Sequence, residues 1–403
     1  MTFDRLWAEL EPIGRSDASG GYRRFAWTDA DLQLREWFAA QAEAHGLALT
    51  TDRAGNQWAW SGDPDSQPGL VLGSHLDSVP DGGAFDGPLG VVSAFAALDA
   101  LTEQGFAPAL PIGIVNFADE EGARFGIACS GSRLLTGALE PDRARNLRDA
   151  DGVTMAEALA RAGRDPAHLG RDDEALRRIG TFVELHVEQG RGLADLHRPV
   201  AVGTAIWPHG RWRIDLPGEA NHAGTTRLAD RRDPMLALAE VIQQARAAAE
   251  RHGVVATCGK VRVEPNGVNA IPSHVSVWLD ARGDEPDRVL ALVAELEHLA
   301  ATHGGTLTAE SWTDRTGFDA ALSERLADLL DGAPQLDTGA GHDAGILANA
   351  GVPTAMLFVR NPTGVSHSPA EFAERDDCLA GVAALAAVVQ DLAGDERLAD
   401  ETA

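Results

Sequence analysis

GLVLGSHLDSVPDGGAFDGPLGVVSAFAALDALTEQG, residues 69–105, decides the fold. GLVLGSHLD (69–77) reads as a buried strand ending at His75, and GVVSAFAALDALTEQG (90–105) as a helix closed by a glycine. The loop between them carries His75, Asp77, Asp81 and Asp86, and residues 73–90 contain no lysine or arginine. PIGIVNFADEEG (111–122) and GTFVELHVEQG (180–190) are two further strands that run into polar clusters. Strand and helix patterns alternate, which predicts an α/β architecture: a mostly parallel sheet with helices on both faces. Ligands of such sheets bind beyond the carboxyl ends of the strands, where these clusters sit.

Further along, the pattern changes. RWRIDLPGEANHAG (211–224), DPMLALAEVIQQARAAAERHG (233–253), KVRVEP (260–265), SHVSVWLDARG (273–283), PDRVLALVAELEHLAATHG (286–304) and TLTAESW (306–312) read β-α-β-β-α-β. That order predicts a separate ferredoxin-like α+β domain. The α/β style then returns, with a helix around 320–331, a helix starting near His342, a strand TAMLFVRN (354–361) and a last helix over about 369–393. Residues 1–205 and 319–403 are therefore read as one domain, with 206–318 inserted as a second.

Composition narrows the function classes. The 403-residue chain is 44% hydrophobic, enough for a large core, and its formal net charge is -27. That charge repels nucleic acid phosphates and anionic membranes, so neither is expected as a partner; solubility is its ordinary role. Lys260 is the only lysine. Cys129, Cys258 and Cys378 form no CxxC pair, so neither a disulfide framework nor a thiolate zinc site is supported. Three reduced, buried thiols fit a cytoplasmic protein. MTFDRLWAEL at the start has no apolar signal-peptide core, and no apolar run approaches the ~20 residues of a membrane span.

Four clusters carry the chemistry. An acid-rich loop without bases makes sense around a metal cation, which binds neutral imidazole and ionised carboxylate. His75 ends a strand, and Asp77 points the same way two residues on, placed to fix the tautomer of His75. Asp86, just before a helix, is positioned to bridge two metals. In FADEEGARFG (117–126), Asp119, Glu120 and Glu121 crowd like charges together. Of these three, Glu121 is read as a ligand and Glu120 as general base toward water. His186 lies in ELHVEQG (184–190) between Glu184 and Glu188, and His367 in TGVSHSPAEF (363–372) precedes a proline and a helix. Alone, each cluster also has an ordinary reading: turn aspartates and an N-cap, a solvated acidic loop, a core histidine, a capping loop. Together, His75, Asp86, Glu121, His186 and His367 match a site for two divalent metal ions per subunit, zinc or manganese with cobalt possible.

GSHLDSVPDGGAFDGPLGV, DEEGARFG, ELHVEQG, GEANHAGTTR, GVNAIPS, GAGHDAG and GVSHSPAEF occur in this order over nearly the full length. In these motifs the chain resembles the allantoate amidohydrolase and N-carbamoyl-L-amino acid amidohydrolase family, within the clan of dinuclear-metal aminoacylases and exopeptidases. The resemblance implies that His222 stabilises the oxyanion in the partner's active site of a homodimer. It implies that Asn269 and Arg282 grip a substrate carboxylate, and that Gln189 and His342 touch substrate beside the metals. Arg227, where relatives often carry proline, departs from the pattern near the implied lid.

The resemblance implies a metal-dependent amidohydrolase acting on a linear amide or ureido C–N bond of a small carboxylate substrate. Glu120, in a catalytic domain of residues 1–205 and 319–403, would take a proton from water and pass it to the leaving nitrogen, and 206–318 would be a lid and dimerisation domain whose closure brings Asn269 and Arg282 over the metals. The wording of WPHGRW, EANHAGTTR and FVRNPTGVSHSPAE ranks allantoate first, giving ureidoglycine or ureidoglycolate with ammonia and carbon dioxide. N-carbamoyl-L-amino acids rank second, N-formyl or N-formimino amino acids third, and dipeptides or acyl amino acids fourth. A catalytically silent metabolite-binding relative is the reading from another class.

Overall fold

The structure is a computed structural model and describes residues 2–394. The chain divides into two compact units, one running to Ala205 and resuming at Gly317, the other comprising Ile206–Thr316. Its strands, in chain order, are β1 (Ala48–Thr51), β2 (Gln57–Ser61), β3 (Gly69–His75), β4 (Ile112–Phe117), β5 (Ile179–Val187) and β6 (Val200–Ile206). Then come β7 (His209–Pro217), β8 (Asn221–His222), β9 (Val255–Glu264), β10 (Ala270–Ile271), β11 (His274–Arg282) and β12 (Thr306–Thr313). β13 (Thr316–Gly317), β14 (Gln335–Thr338) and β15 (Thr354–Val359) complete the order.

The first unit is built on a sheet ordered β1-β2-β4-β3-β5-β15-β6-β13, with β14 paired to β6. The central strands β4, β3, β5 and β15 run parallel, while β1, β2 and β6 pair antiparallel at the flanks. Parallel strands covered on both faces read as unbroken apolar runs, and all of β3, β4 and β15 is buried. Leu70 and Leu72 enter the main core with the helices Pro88–Glu103 and Arg375–Ala393, while Val71 between them is equally buried on the opposite face. Because the four central strands are parallel, their carboxyl ends share one edge, and β3 delivers His75 there as its last residue.

The second unit has the expected β-α-β-β-α-β order, with a four-stranded antiparallel sheet ordered β12-β7-β11-β9. Trp212, Ile214 and Leu216 of β7 and Val275, Val277, Leu279 and Ala281 of β11 pack against the helices Pro234–His252 and Pro286–Thr302. Among the described residues no helix is long and apolar enough to cross a membrane.

Several expectations need correction. The edge strand β9 begins at Val255, ahead of the expected Lys260. Pairing with β11 slips between Trp278 and Leu279, whose partners are Lys260 and Cys258, so Gly259 is skipped as a bulge that hides the strand pattern. The last helix begins at Arg375, since residues 366–372 are held in a loop by contacts described below. Cys129 and Cys378 are buried as expected, but Cys258 is only partly so, because it lies on the edge strand. Leu72→Ala, at a fully buried position, should cost about 2–5 kcal/mol in a urea unfolding curve. Leu196→Ala, at a half-exposed position, should stay within about 0.5 kcal/mol. Equal losses would contradict this placement of the core.

Candidate metal centre

His75 ends β3, Asp119, Glu120 and Glu121 follow β4, His186 lies near the end of β5, and His367 lies in the loop beyond β15. Asp86 comes from the loop between β3 and the helix Pro88–Glu103. These residues form two overlapping sets, His75–Asp86–His186 and Asp86–Glu121–His367, each with its candidate donor atoms within 4.8 Å of one another. Asp86 belongs to both and offers one oxygen to each. Its Oδ1 lies 3.1 Å from His186 Nε2 and 3.6 Å from His75 Nε2. Its Oδ2 lies 3.3 Å from His367 Nε2, which is 3.6 Å from Glu121 Oε2. Gly87 makes the room: a Cβ there would stand 2.4 Å from Cε1 of the His75 ring, and its φ of 84° suits glycine.

The imidazole tautomers test whether a cation fits. His186 Nδ1 meets the Val187 carbonyl at 2.8 Å, and His75 Nδ1 meets the Asp77 carbonyl at 3.2 Å. A carbonyl oxygen only accepts, so Nδ1 carries a proton in both rings, and Nε2 is the nitrogen left to bind either a further proton or a cation. Both Nε2 atoms are buried, without a hydrogen bond, and face a carboxylate oxygen. An imidazole nitrogen facing a carboxylate oxygen needs positive charge between them, a proton in metal-free protein or a metal cation in its place, so the donor set fits divalent metal ions.

Electrostatics agree. Burial pushes the Glu120 carboxyl well up, with Asp343, Glu121 and Asp77 adding and His75 opposing. Burial and then Asp86 raise Glu121 to about 7. Burial and then Asp77 push Asp119 well up, and both its oxygens are buried without a partner. Burial works against charge on His75, but Glu120, Asp77 and Asp86 outweigh it and drive the imidazole up. The hydrogen bond to Asp86 raises His367 to about 9. In metal-free protein, protons take the place of cations here, as expected where ligands must deprotonate to bind.

Asp77 does more than hold His75, whose Nδ1 is 3.3 Å from its Oδ1. Its two oxygens accept the backbone N–H groups of Glu120 and Glu121, each at 3.1 Å, so it also aims the acidic loop. Gln189 Nε2 donates to Asp86 Oδ2 at 2.9 Å and Ser366 Oγ at 3.1 Å. His342 packs edge-on against His186 with ring centroids 4.5 Å apart. Burial and then His186 hold it well below the usual imidazole range, hence neutral.

Several buried partners had no assigned role in the sequence. Ser74 Oγ and the Ala344 N–H donate to the Glu184 carboxylate, which joins β3, β5 and the helix that follows His342. Cys129 Sγ donates to Glu120 Oε1 at 3.2 Å. Glu371 accepts from the loop that holds Asp86. Their only signal was an acid or thiol inside or beside a recognisable motif, without an evident partner.

The remaining expected residues lie in the second unit. His222 and Asn269 are brought together: β8 pairs with β10, and the Ala223 N–H donates to the Asn269 carbonyl at 3.0 Å. The Gly224 N–H donates to His222 Nδ1 at 2.9 Å, which leaves the ring proton on Nε2, and the residue is exposed. Arg282 ends β11 with its guanidinium forked onto Asp280 at 2.7 and 3.0 Å. Arg227 is exposed and paired with Asp230 at 2.6 Å.

Comparison with known proteins gives this geometry a family. A family model described as peptidase family M20/M25/M40 matches residues 71–391. The chain is 38% identical to the N-carbamoyl-L-amino acid amidohydrolase of Geobacillus stearothermophilus, over 98% of this chain and 99% of that protein. It is 32% identical to the allantoate amidohydrolase of Escherichia coli, over 94% of each. The structure of AtUAH in complex with (S)-hydroxyglycine superposes with a TM-score of 0.85 at 26% identity, covering 98% of this chain and 97% of that one. An amidase of the hydantoinase/carbamoylase family from Burkholderia multivorans gives 0.84 at 30% identity, covering 98% of each. With its carboxylate and imidazole donors gathered at one edge of a parallel sheet, the chain belongs to the peptidase family M20/M25/M40 and is a hydrolase.

Proposed function

We propose that this protein is an amidohydrolase that uses two divalent cations to cleave a linear amide or ureido C–N bond in a small carboxylate substrate. The observation that carries the reading is Asp86, with one oxygen toward the Nε2 atoms of His75 and His186 and the other toward His367 and Glu121. Zinc or manganese, with cobalt a third fit, would supply Lewis acidity toward a carbonyl oxygen and toward water.

The chain's own residues do the rest. Glu120, buried and beside the two sets without belonging to either, takes the proton of the attacking water and returns it to the leaving nitrogen. Asp77 holds His75 and the Glu120 backbone in register for this transfer. His342, kept neutral, and Gln189 border the substrate. In the second unit, His222 presents an exposed Nε2–H suited to a developing oxyanion, acting across a homodimer, and Asn269 and Arg282 hold the carboxylate. The 206–318 region serves as lid and dimerisation domain.

Allantoate ranks first among substrates on motif wording. N-carbamoyl-L-amino acids are the second reading, favoured by the 38% identity to the Geobacillus stearothermophilus protein that bears that name. Metal-free protein reloaded with manganese or zinc should turn over one of these two, with ammonia released. A ureido product identifies allantoate and a free amino acid identifies the carbamoyl substrate; turnover of N-formyl-L-glutamate or a dipeptide alone overturns the assignment.

Glu120→Gln should keep the parent metal content and lose about 10²–10⁴-fold in kcat. Loss of metal instead would make Glu120 a ligand. Mixing inactive Glu120→Gln and His222→Ala chains should restore about a quarter of parent activity, since half the dimers are mixed and each holds one complete site. No restoration after subunit exchange would mean that His222 acts within its own chain or not at all.

A further inference from the structure

We propose that Glu371 is a positioning residue that sets Asp86 between the two donor sets, an inference that rests on the dinuclear reading above. Glu371 is buried in the loop before the last helix. Its Oε1 accepts the consecutive backbone N–H groups of Phe85 and Asp86, both at 3.0 Å. Its Oε2 accepts the Ser366 hydroxyl at 3.0 Å, next to His367. The residue therefore ties the loop that carries Asp86 to the loop that carries His367, across 285 positions of sequence. Gln189 closes the network by donating to both Asp86 Oδ2 and Ser366 Oγ.

Glu371 is not itself a ligand in this arrangement, because both its oxygens are occupied by N–H and O–H donors. Its effect runs through Asp86. With the Asp86 N–H held by Glu371 and Oδ2 held by Gln189, the carboxylate has little freedom to turn away from the imidazoles. A carboxylate serves well here, since one oxygen can accept two N–H groups while the other takes a hydroxyl. Neutral glutamine could do the same: its oxygen would accept both N–H groups, and its amide would donate to Ser366 Oγ, whose hydroxyl would turn to Asp86 Oδ2, now 3.5 Å away.

Gly83 is the counterpart in the other loop. A Cβ at 83 would lie 2.4 Å from Glu371 Cβ and 2.5 Å from its Oε1. Gly83 does not have a positive φ, so its backbone does not call for glycine. The missing side chain is required by the approach of Glu371, and alanine there would push Glu371 away from the loop that carries Asp86.

The test is Mn2+ binding to full-length, chelator-treated protein by calorimetry, together with bound metal per chain and the thermal midpoint of the metal-free form. Glu371→Ala should weaken Mn2+ binding about 10–100-fold, the range typical for residues that orient a metal ligand. The metal-free thermal midpoint should change far less than this loss. Glu371→Gln should bind like the parent, and Gly83→Ala should weaken binding as Glu371→Ala does. Parent-like binding by Glu371→Ala or by Gly83→Ala would overturn the inference, as would Glu371→Gln as weak as Glu371→Ala, which would point to charge in place of position. Should Glu371→Ala fail to fold, the glutamine and Gly83 variants still decide. A parent chain that binds no Mn2+ would overturn the dinuclear reading itself, whereas a parent that binds two with unaffected variants would overturn only the role of Glu371.

Discussion

The structure depends on negative charge gathered where no basic side chain answers it. Asp77, Asp86, Asp119 and Glu120 are buried, with Glu121 beside them, and among the described residues their ion pairs are with histidines alone. The one lysine of the chain stands over Trp278 in the second unit. An unpaired buried carboxylate is costly, and several in one place cost more than a fold of ordinary stability sustains. Protonation relieves part of that cost in metal-free protein, and divalent cations would relieve it more completely. The parallel sheet matters because it is what brings four separate loops to that one place.

Much of this was legible from residue types. Buried parallel strands are unbroken apolar runs, so β3, β4, β5 and β15 stood out, and each ran into polar residues at its carboxyl end. The flanks were not legible. β1 is exposed at all four positions and shows no alternation. The helices Ser130–Thr136, Pro141–Asn146 and Met155–Arg161 have six or seven residues each, too few for a helical period to declare itself. Their place is fixed by tertiary contacts around Phe125, Leu134 and Leu159, which a local pattern does not contain.

At the site, the sequence offered candidate donor atoms and could not aim them. His75, Asp86, Glu121, His186 and His367 do converge, but the division of Asp86 into one oxygen for each set is a matter of loop conformation. Asp77 was read as a partner of His75 because the two are neighbours in sequence. Its grip on the Glu120 and Glu121 backbone spans 43 and 44 positions and leaves no local trace. His222 and Asn269 meet through a two-residue ladder too short to register as strand pairing.

One device recurs and changes how the net charge of -27 should be understood. Surface solubility explains part of it, but acids also work inside as brackets between backbone segments. Asp77 takes the N–H groups of 120 and 121, Glu371 those of 85 and 86, and Glu188 those of 192 and 193. Glu184 takes the N–H of 344. In each case main-chain N–H groups serve the carboxylate, joined by a serine hydroxyl at Glu184 and Glu371, and such donors need no basic side chain and lose little entropy on being fixed. Arginines at these positions would have neutralised the pocket and left nothing for a cation to do. Backbone donors instead anchor these acids without cancelling the field of Asp86, Glu120 and Glu121, so rigidity and an unmet demand for positive charge arise from the same choice of partners.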